Sequence, residues 1–323
     1  HPNIELLTLS EIDAVSGEEG NFQVRVIQHP RYVDMSKCIA CGQCAAKCPK
    51  KVLDTYNQGL DKRKAIYVPY SQAVPLKYAI DPQNCIYLTK GKCGACEKIC
   101  PTGAIHLDDQ QKETTLAVDS VILAPGFQPY DPAAEDIYAY STSPNVVTSL
   151  EFERMLSATG PYSGHLMRPS SMRGKNPLGK PPQKIAWLQC VGSRDINHCD
   201  NSYCSAVCCM YATKEAVIAK EHAHSELDTA IFFMDMRTHG KDFEQYYNDA
   251  KERHGVRFIR SRVHTIDPID GSDDVIMKYA NEEGEAVEEG FDMVVLSVGL
   301  QTSEDVVALA NKLDINLTEG GFC

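Results

Sequence analysis

Asn21-Phe22-Gln23-Val24-Arg25-Val26-Ile27 alternates polar and apolar side chains with the two-residue period of a half-buried strand. Ile4-Glu5-Leu6-Leu7-Thr8 predicts a strand before it, with Gly17-Glu18-Glu19-Gly20 as the turn between the two. Beyond a cysteine-dense stretch, Thr115-Leu116-Ala117-Val118 and Ser120-Val121-Ile122-Leu123-Ala124 predict short buried strands, the second ending at Pro125-Gly126. Residues 149–156 change to a helical pattern. Residues 161–183 are rich in Pro, Gly, Ser and basic side chains and predict a linker or surface loop. From Lys184 the chain alternates. Residues 184–189 read as a central strand, a helix runs to about Lys220, and 227–234 form a strand. A helix over 241–254 and a strand over 256–259 come next. A hairpin is predicted over 263–289, and a last buried strand over 293–298 ends at Gly299. Strand–helix–strand alternation over 184–300 predicts an open, largely parallel sheet. The doubled cysteine motif is the internal repeat that the pattern shows.

With 323 residues the chain exceeds what one core usually organises, so two or three domains are expected. No run approaches the roughly 18 apolar residues of a membrane span. A net charge of −12 argues against a general nucleic-acid binder. The balance is uneven, however. Cys38 to Cys100 carries nine lysines and one arginine against three aspartates and one glutamate. That surplus suits a segment holding anionic thiolates, although a solvated lysine face would read the same way.

Fourteen cysteines raise the question of disulfides. Tight Cys-x2-Cys spacing without a visible export signal points instead to metal ligands in a reducing, cytoplasmic setting. Cys38-x2-Cys41-x2-Cys44-x3-Cys48-Pro49 matches the bacterial ferredoxin run in full. Cys85-x7-Cys93-x2-Cys96-x3-Cys100-Pro101 repeats its ending with a longer first gap. A tight loop supplies three thiolates to an iron–sulfur cubane, and the cysteine before proline reaches the other one. The assignment is therefore Cys38, Cys41, Cys44 and Cys100 for one [4Fe–4S] cluster, and Cys48, Cys85, Cys93 and Cys96 for the second. Structural zinc would need only isolated Cys-x2-Cys pairs, and two complete runs exceed that need.

Cys190, Cys199, Cys204, Cys208 and Cys209 form a second group at a strand end and a helix start, where the helix dipole favours thiolate charge. Five cysteines compete for four positions, and a zinc site stays open on spacing alone. They fill the loop where a Gly-rich phosphate cradle belongs, and no G-x-G-x-x-G occurs in the chain. NAD(P)H binding by this sheet is therefore not expected.

The residues resemble the A-subunit family of heterodisulfide reductase, known from methanogens, with relatives in sulfate reducers and other anaerobes. The resemblance is carried by Arg31-Tyr32-Val33-Asp34, both cysteine runs, Gly91-Lys92-Cys93-Gly94-Ala95-Cys96-Glu97-Lys98 and Thr148-Ser149-Leu150-Glu151-Phe152-Glu153-Arg154. Gln189-Cys190-Val191-Gly192-Ser193-Arg194-Asp195 and the stretch from Tyr203-Cys204 to Met210-Tyr211 complete it. It implies an α/β, thioredoxin-reductase-like scaffold of two dinucleotide-binding domains with an inserted two-cluster ferredoxin domain. The implied division is 1–34 and 105–160 for the FAD-binding domain, 35–104 for the insertion and 161–183 for a linker. Residues 184–300 would be a second Rossmann-like domain carrying a third cluster, and 301–323 would return towards the FAD domain.

The resemblance further implies that Cys190, Cys204, Cys208 and Cys209 ligate a non-standard third [4Fe–4S] cluster, with Cys199 outside the usual pattern and Cys323 without a role. FAD is implied too. Ala124 and Gly126 stand where an Ala-Thr-Gly element closes the first FAD half, with proline in place of threonine. The pyrophosphate fingerprint would lie before His1 and the final FAD segment after Cys323, which makes this an interior stretch. Lys214 is implied beside the flavin ring, with Glu151 or Glu153 facing it. A surface lysine, and acids favoured early in a helix, would read the same way. The implied function is an oxidoreductase subunit passing electrons between FAD, ferredoxin and partner subunits, by flavin-based bifurcation or as a plain conduit in a quinone-linked complex. Partners would be other subunits of such a complex and a hydrogenase or formate dehydrogenase subunit. A structural zinc scaffold is the reading from a different class.

Overall fold

The computed structural model describes residues 3–134, 136–172 and 180–323. The chain divides into two compact units. Unit 1 comprises 1–125, 304–318 and 323, and unit 2 comprises 126–303 and 319–322.

In unit 1, β1 (Ser10–Glu18) and β2 (Asn21–Gln28) form a hairpin, and β7 (Lys112–Val118) pairs antiparallel along the other edge of β2. The strand expected at residues 4–8 is displaced to β1. The tight turn pairs Glu18 with Asn21, so the partner of β2 is the stretch immediately before that turn. Residues 120–124 form no strand either. β7 ends at Val118, no strand among the described residues runs beside them, and Ile122 is 91% exposed.

Between β2 and β7 lies the cysteine segment. Its two ends are clasped where Val33 bridges Ile105, with Asp34 N donating to Ala104 O at 2.7 Å and His106 N to Tyr32 O at 3.1 Å. Within it are α1 (Gln43–Lys47), β3 (Lys51–Leu53), β4 (Lys62–Lys64), β5 (Ile66–Tyr67), β6 (Ala79–Ile80), α2 (Ile86–Lys90) and α3 (Ala95–Ile99). β3 pairs with β4 and β5 with β6. The core of this segment is small. Val33, Ile66, Ile80, Ile105 and Leu107 pack around buried Cys38 and Cys44, with Cys48, Cys85, Cys96 and Cys100 against them. A core in which cysteines hold so many places depends on what those cysteines bind.

Unit 2 is built on five parallel strands in the order β12-β11-β10-β16-β9. Before them comes β8 (Gln128–Pro129), which pairs with β17 (Leu300–Gln301). The sheet strands are β9 (Val146–Thr148), β10 (Lys184–Val191), β11 (Asp228–Phe233), β12 (Arg257–Arg260) and β16 (Met293–Val298). β10 is the central strand, as its apolar run predicts, and β16 is buried throughout. β9 and α4 (Ser149–Leu156) join this sheet rather than the one containing β7, because Val146-Val147-Thr148 pairs with Val294–Leu296.

α5 (Pro169–Met172) lies in the predicted loop, of which 173–179 fall outside the described residues. α6 (Cys208–His222) and α7 (Phe243–Glu252) connect successive strands. The predicted hairpin is a three-stranded meander of β13 (Val263–Pro268), β14 (Val275–Ala280) and β15 (Ala286–Phe291). β15 alternates exposed and half-buried positions and pairs back along all of β14 before leading into β16. α8 (Glu304–Lys312) belongs to unit 1. No helix among the described residues is long and apolar enough to cross a membrane.

Candidate metal centres

Each ferredoxin run is bent by left-handed backbone. Ala40 and Gly42 take φ of 56° and 79° inside the first loop, and Cys93 and Gly94 take 109° and 79° inside the second. Gly42 and Gly94 then cap α1 and α3 at matching places, so that Cys44 and Cys96 enter the first helical turns. The two helices pack against each other.

This packing exchanges the ends of the runs. One cavity is lined by Cys38, Cys41, Cys44 and Cys100. A second is lined by Cys48, Cys85, Cys93 and Cys96. The two quartets predicted from spacing are thus the two quartets that share a cavity, including both crossed members. Among the described residues no three His, Cys, Asp or Glu side chains converge tightly enough for a single ion. Each cavity gathers four cysteines, the donor set of one [4Fe–4S] cluster.

Electrostatics agree with that use. Burial, reinforced by the proximity of Cys38, Cys41 and Cys96, pushes the Cys44 thiol up to about 11. Burial with Cys85 and Cys48 nearby pushes Cys96 up to about 11 as well. Burial also acts on Cys100, but the Thr102 hydroxyl and the backbone N–H of Ala104, 3.3 Å from its sulfur, bring that thiol below its usual value. Buried thiols that repel one another as thiolates gain from a cationic partner, and taking one up releases their protons.

The second cysteine group lies wholly in unit 2. Cys190 sits near the end of β10 with φ of 64°, and Cys208 and Cys209 are buried in the first turn of α6. Cys204 lies in the loop between, with Ala206 N 3.4 Å from its sulfur. Burial, then the nearness of Cys209 and Cys204, raises Cys190 to about 11. Burial raises Cys208 to about 12, with Cys190, Cys209 and Cys204 adding to it, and burial raises Cys209 too. Cys190, Cys204, Cys208 and Cys209 are thus near enough to act on one another electrostatically. Cys199 turns elsewhere, its sulfur 3.1 Å from Asp195 O. Gly192 completes the bend after β10 at φ of 72°, and a Cβ there would meet the Tyr130 ring at 2.1 Å. Cys323 is exposed in unit 1.

The residues implied for flavin divide. The Glu151 carboxylate is taken up by a capping box on α4, accepting from Thr148 N at 2.6 Å, and by the Tyr140 hydroxyl at 3.2 Å. Glu153 pairs with Lys214 at 2.6 Å and lines a cleft of unit 2 between α4 and α6. Phe127, Leu150, Val298 and Leu300 give that cleft apolar walls, and Tyr211 and Glu215 also line it. Ala124 and Gly126 are exposed on irregular backbone.

Glu215 escaped the sequence reading. Its Oε2 accepts from Trp187 Nε1 at 2.9 Å, while its buried Oε1 has no partner among the described residues. Burial drives its carboxyl well above the usual range, against the pull of the Trp187 hydrogen bond. The available signal was its position on the same helix face as Ala212 and Ala219, both fully buried.

Comparison with known proteins agrees with this geometry. Residues 37–104 match the family described as 4Fe-4S dicluster domain. Over its whole length the chain is 43% identical to the iron–sulfur A-subunit of CoB–CoM heterodisulfide reductase from Methanocaldococcus jannaschii, covering 47% of that relative. It is 42% identical to the A-subunit of H2/formate:CoB-CoM heterodisulfide,ferredoxin reductase from Methanococcus maripaludis, again over the whole chain and 47% of the relative. The corresponding A-subunit of H2:CoB-CoM heterodisulfide,ferredoxin reductase from Methanothermobacter marburgensis is 36% identical over the same shares. The chain spans about half the length of the curated relatives it matches, and over its own whole length it is similar to the A-subunits of heterodisulfide reductases.

Proposed function

We propose that this chain is the iron–sulfur portion of an electron-transferring flavoprotein oxidoreductase subunit, working within a heterodisulfide-reductase-like complex. The observation that carries the proposal is the pair of cavities, each ringed by three cysteines of one run and the last cysteine of the other. Cys38, Cys41, Cys44 and Cys100 would hold one [4Fe–4S] cluster, and Cys48, Cys85, Cys93 and Cys96 another. Cys190, Cys204, Cys208 and Cys209 would hold the third. Such clusters, when bound, accept and release single electrons. The protein's part is to fix their thiolates, exclude water through the small apolar core around Ile66 and Ile105, and set their potentials by charge and hydrogen bonding.

The cleft between α4 and α6 is the best place in unit 2 for a flavin ring. Its walls are largely apolar, Glu215, whose buried Oε1 has no partner among the described residues, is part of its lining, and Glu153 of the Glu153–Lys214 pair lines it too. A lysine ammonium there favours an anionic reduced ring. The names of the relatives from Methanothermobacter marburgensis and Methanococcus maripaludis support hydrogen or formate oxidation as the electron source, and a heterodisulfide and ferredoxin as acceptors. Partner subunits of those kinds, and bifurcation of electron pairs between the two acceptors, are the finer form of the proposal.

The test is ferredoxin reduction by the intact complex with and without the disulfide acceptor. Bifurcation requires ferredoxin reduction to stop when the disulfide is withheld. Equal reduction in both cases makes the chain a plain conduit. A colourless, iron-free anaerobic preparation with native structure would end both forms of the proposal.

A further inference from the structure

Two members of the lysine surplus bond to the main chain of cysteines. Lys77 Nζ donates to the carbonyl of Cys38 at 2.5 Å, and Lys64 Nζ donates to the carbonyl of Cys48. Both side chains are half-buried, and among the described residues neither forms an ion pair with a carboxylate. Each is fixed from behind. Lys64 lies in β4, opposite Lys51 of β3, and Lys77 follows a turn in which its N–H bonds to Pro75 O at 2.9 Å. Cys38 lines one cysteine cavity and Cys48 the other. Each cavity thus has one ammonium bonded to the backbone of one of its four cysteines.

We propose that Lys77 and Lys64 are positioning residues that each raise the reduction potential of a different iron–sulfur centre. Lys77 would act on the one held by Cys38, Cys41, Cys44 and Cys100, and Lys64 on the one held by Cys48, Cys85, Cys93 and Cys96. The inference rests on the ligand sets proposed above. Adding an electron makes a cluster and its thiolates one charge more negative, so a fixed cation stabilises the reduced state more than the oxidised one. The hydrogen bond to a ligand's own carbonyl holds each ammonium in place beside that ligand. Half-burial keeps its charge from being screened by water and salt. Lys47, Lys51, Lys62, Lys90, Lys92 and Lys98 are exposed, and their charge is screened far more; Lys50 is half-buried and lines the second cavity, but among the described residues only Lys64 and Lys77 bond to a cysteine carbonyl. Two lysines on two separate cysteine sets let the protein set the two potentials independently.

Redox-titrated EPR on anaerobically purified protein tests this, with Lys77→Gln, Lys64→Gln and the matching arginine variants. Gln retains a donor for the carbonyl and removes the charge, while Arg retains both. Lys77→Gln should lower one midpoint potential and leave the others in place. Lys64→Gln should lower a different one, and each arginine variant should restore the wild-type value. Unmoved midpoints in both glutamine variants, or both variants moving the same midpoint, would overturn the role of the lysines. Iron content on the same samples separates the two levels of failure. Iron-loaded protein with unmoved midpoints refutes the lysines alone, whereas iron-free wild-type protein refutes the ligand sets as well.

Discussion

Glu215 offers the sharpest test of the packing in unit 2. Trp187 is fully buried, and its indole N–H has the Glu215 carboxyl as acceptor. Glu215→Leu removes that acceptor and leaves a buried donor unpaired, at a cost of about 1–3 kcal/mol. Glu215→Gln retains a carbonyl for the indole and should stay within about 1 kcal/mol of wild type. At roughly 2–4 °C per kcal/mol for a unit of this size, the leucine variant should melt several degrees below the glutamine variant.

The pH dependence carries a sign of its own. In the unfolded chain the carboxyl ionises near about 4.3. Burial raises it well above that in the fold, so between the two values the folded state holds a proton that the unfolded state has lost. Wild-type stability therefore falls as pH rises across that window, by at most about 1.4 kcal/mol per pH unit. Glutamine does not titrate, so the stability of Glu215→Gln relative to wild type should grow between about pH 5 and pH 7. Urea unfolding of wild type and both variants at several pH values measures all of this. A leucine variant as stable as the glutamine one, or a pH-independent difference between glutamine and wild type, refutes the reasoning.

Three further outcomes are expected. Thr148→Ala removes the side-chain half of the α4 capping box, where Thr148 Oγ1 accepts from Glu151 N at 3.2 Å, and should cost about 1 kcal/mol by thermal unfolding. Burial pushes the Glu289 carboxyl up, but hydrogen bonds from Lys184, Arg257 and Tyr279 hold it below the usual range. Its stabilisation is essentially complete above the unfolded value of about 4.3 and is lost as pH falls through the lower folded value, so Glu289→Gln should flatten the acid limb of urea unfolding below about pH 5. Cys100→Ser should disturb the EPR signal of the cluster held with Cys38, Cys41 and Cys44, leaving the signal that depends on Cys96. Loss of the Cys96-dependent signal instead would show that the runs do not cross.

Much of this molecule was legible from its pattern. The parallel sheet followed from apolar runs that alternate with helical periods, and Lys184 to Gln189 fell in the central strand because only a strand covered on both faces tolerates so continuous a run. The three-cysteine loops were legible because their spacing is local, while the grouping of each with the last cysteine of the other run follows the ferredoxin pattern and matches the residues that line each cavity. Residues 4–8 and 120–124 failed for a common reason. An apolar run becomes a strand only when another strand accepts its hydrogen bonds, and partnership is not written in the run itself. Glu151 takes part in a capping box at the start of α4, and the Thr-x-x-Glu signature for it stood in the sequence. Lys64, Lys77 and Glu215 act through a carbonyl or an indole distant along the chain, and no spacing rule reaches them.

The most direct measurement is iron and acid-labile sulfide per chain in anaerobically purified protein, with Mössbauer spectra to count cluster types. Three cysteine-ligated cubes predict about 12 irons with matching sulfide, about eight of them in two ordinary [4Fe–4S] clusters. A natively folded preparation holding zinc and no iron would contradict them.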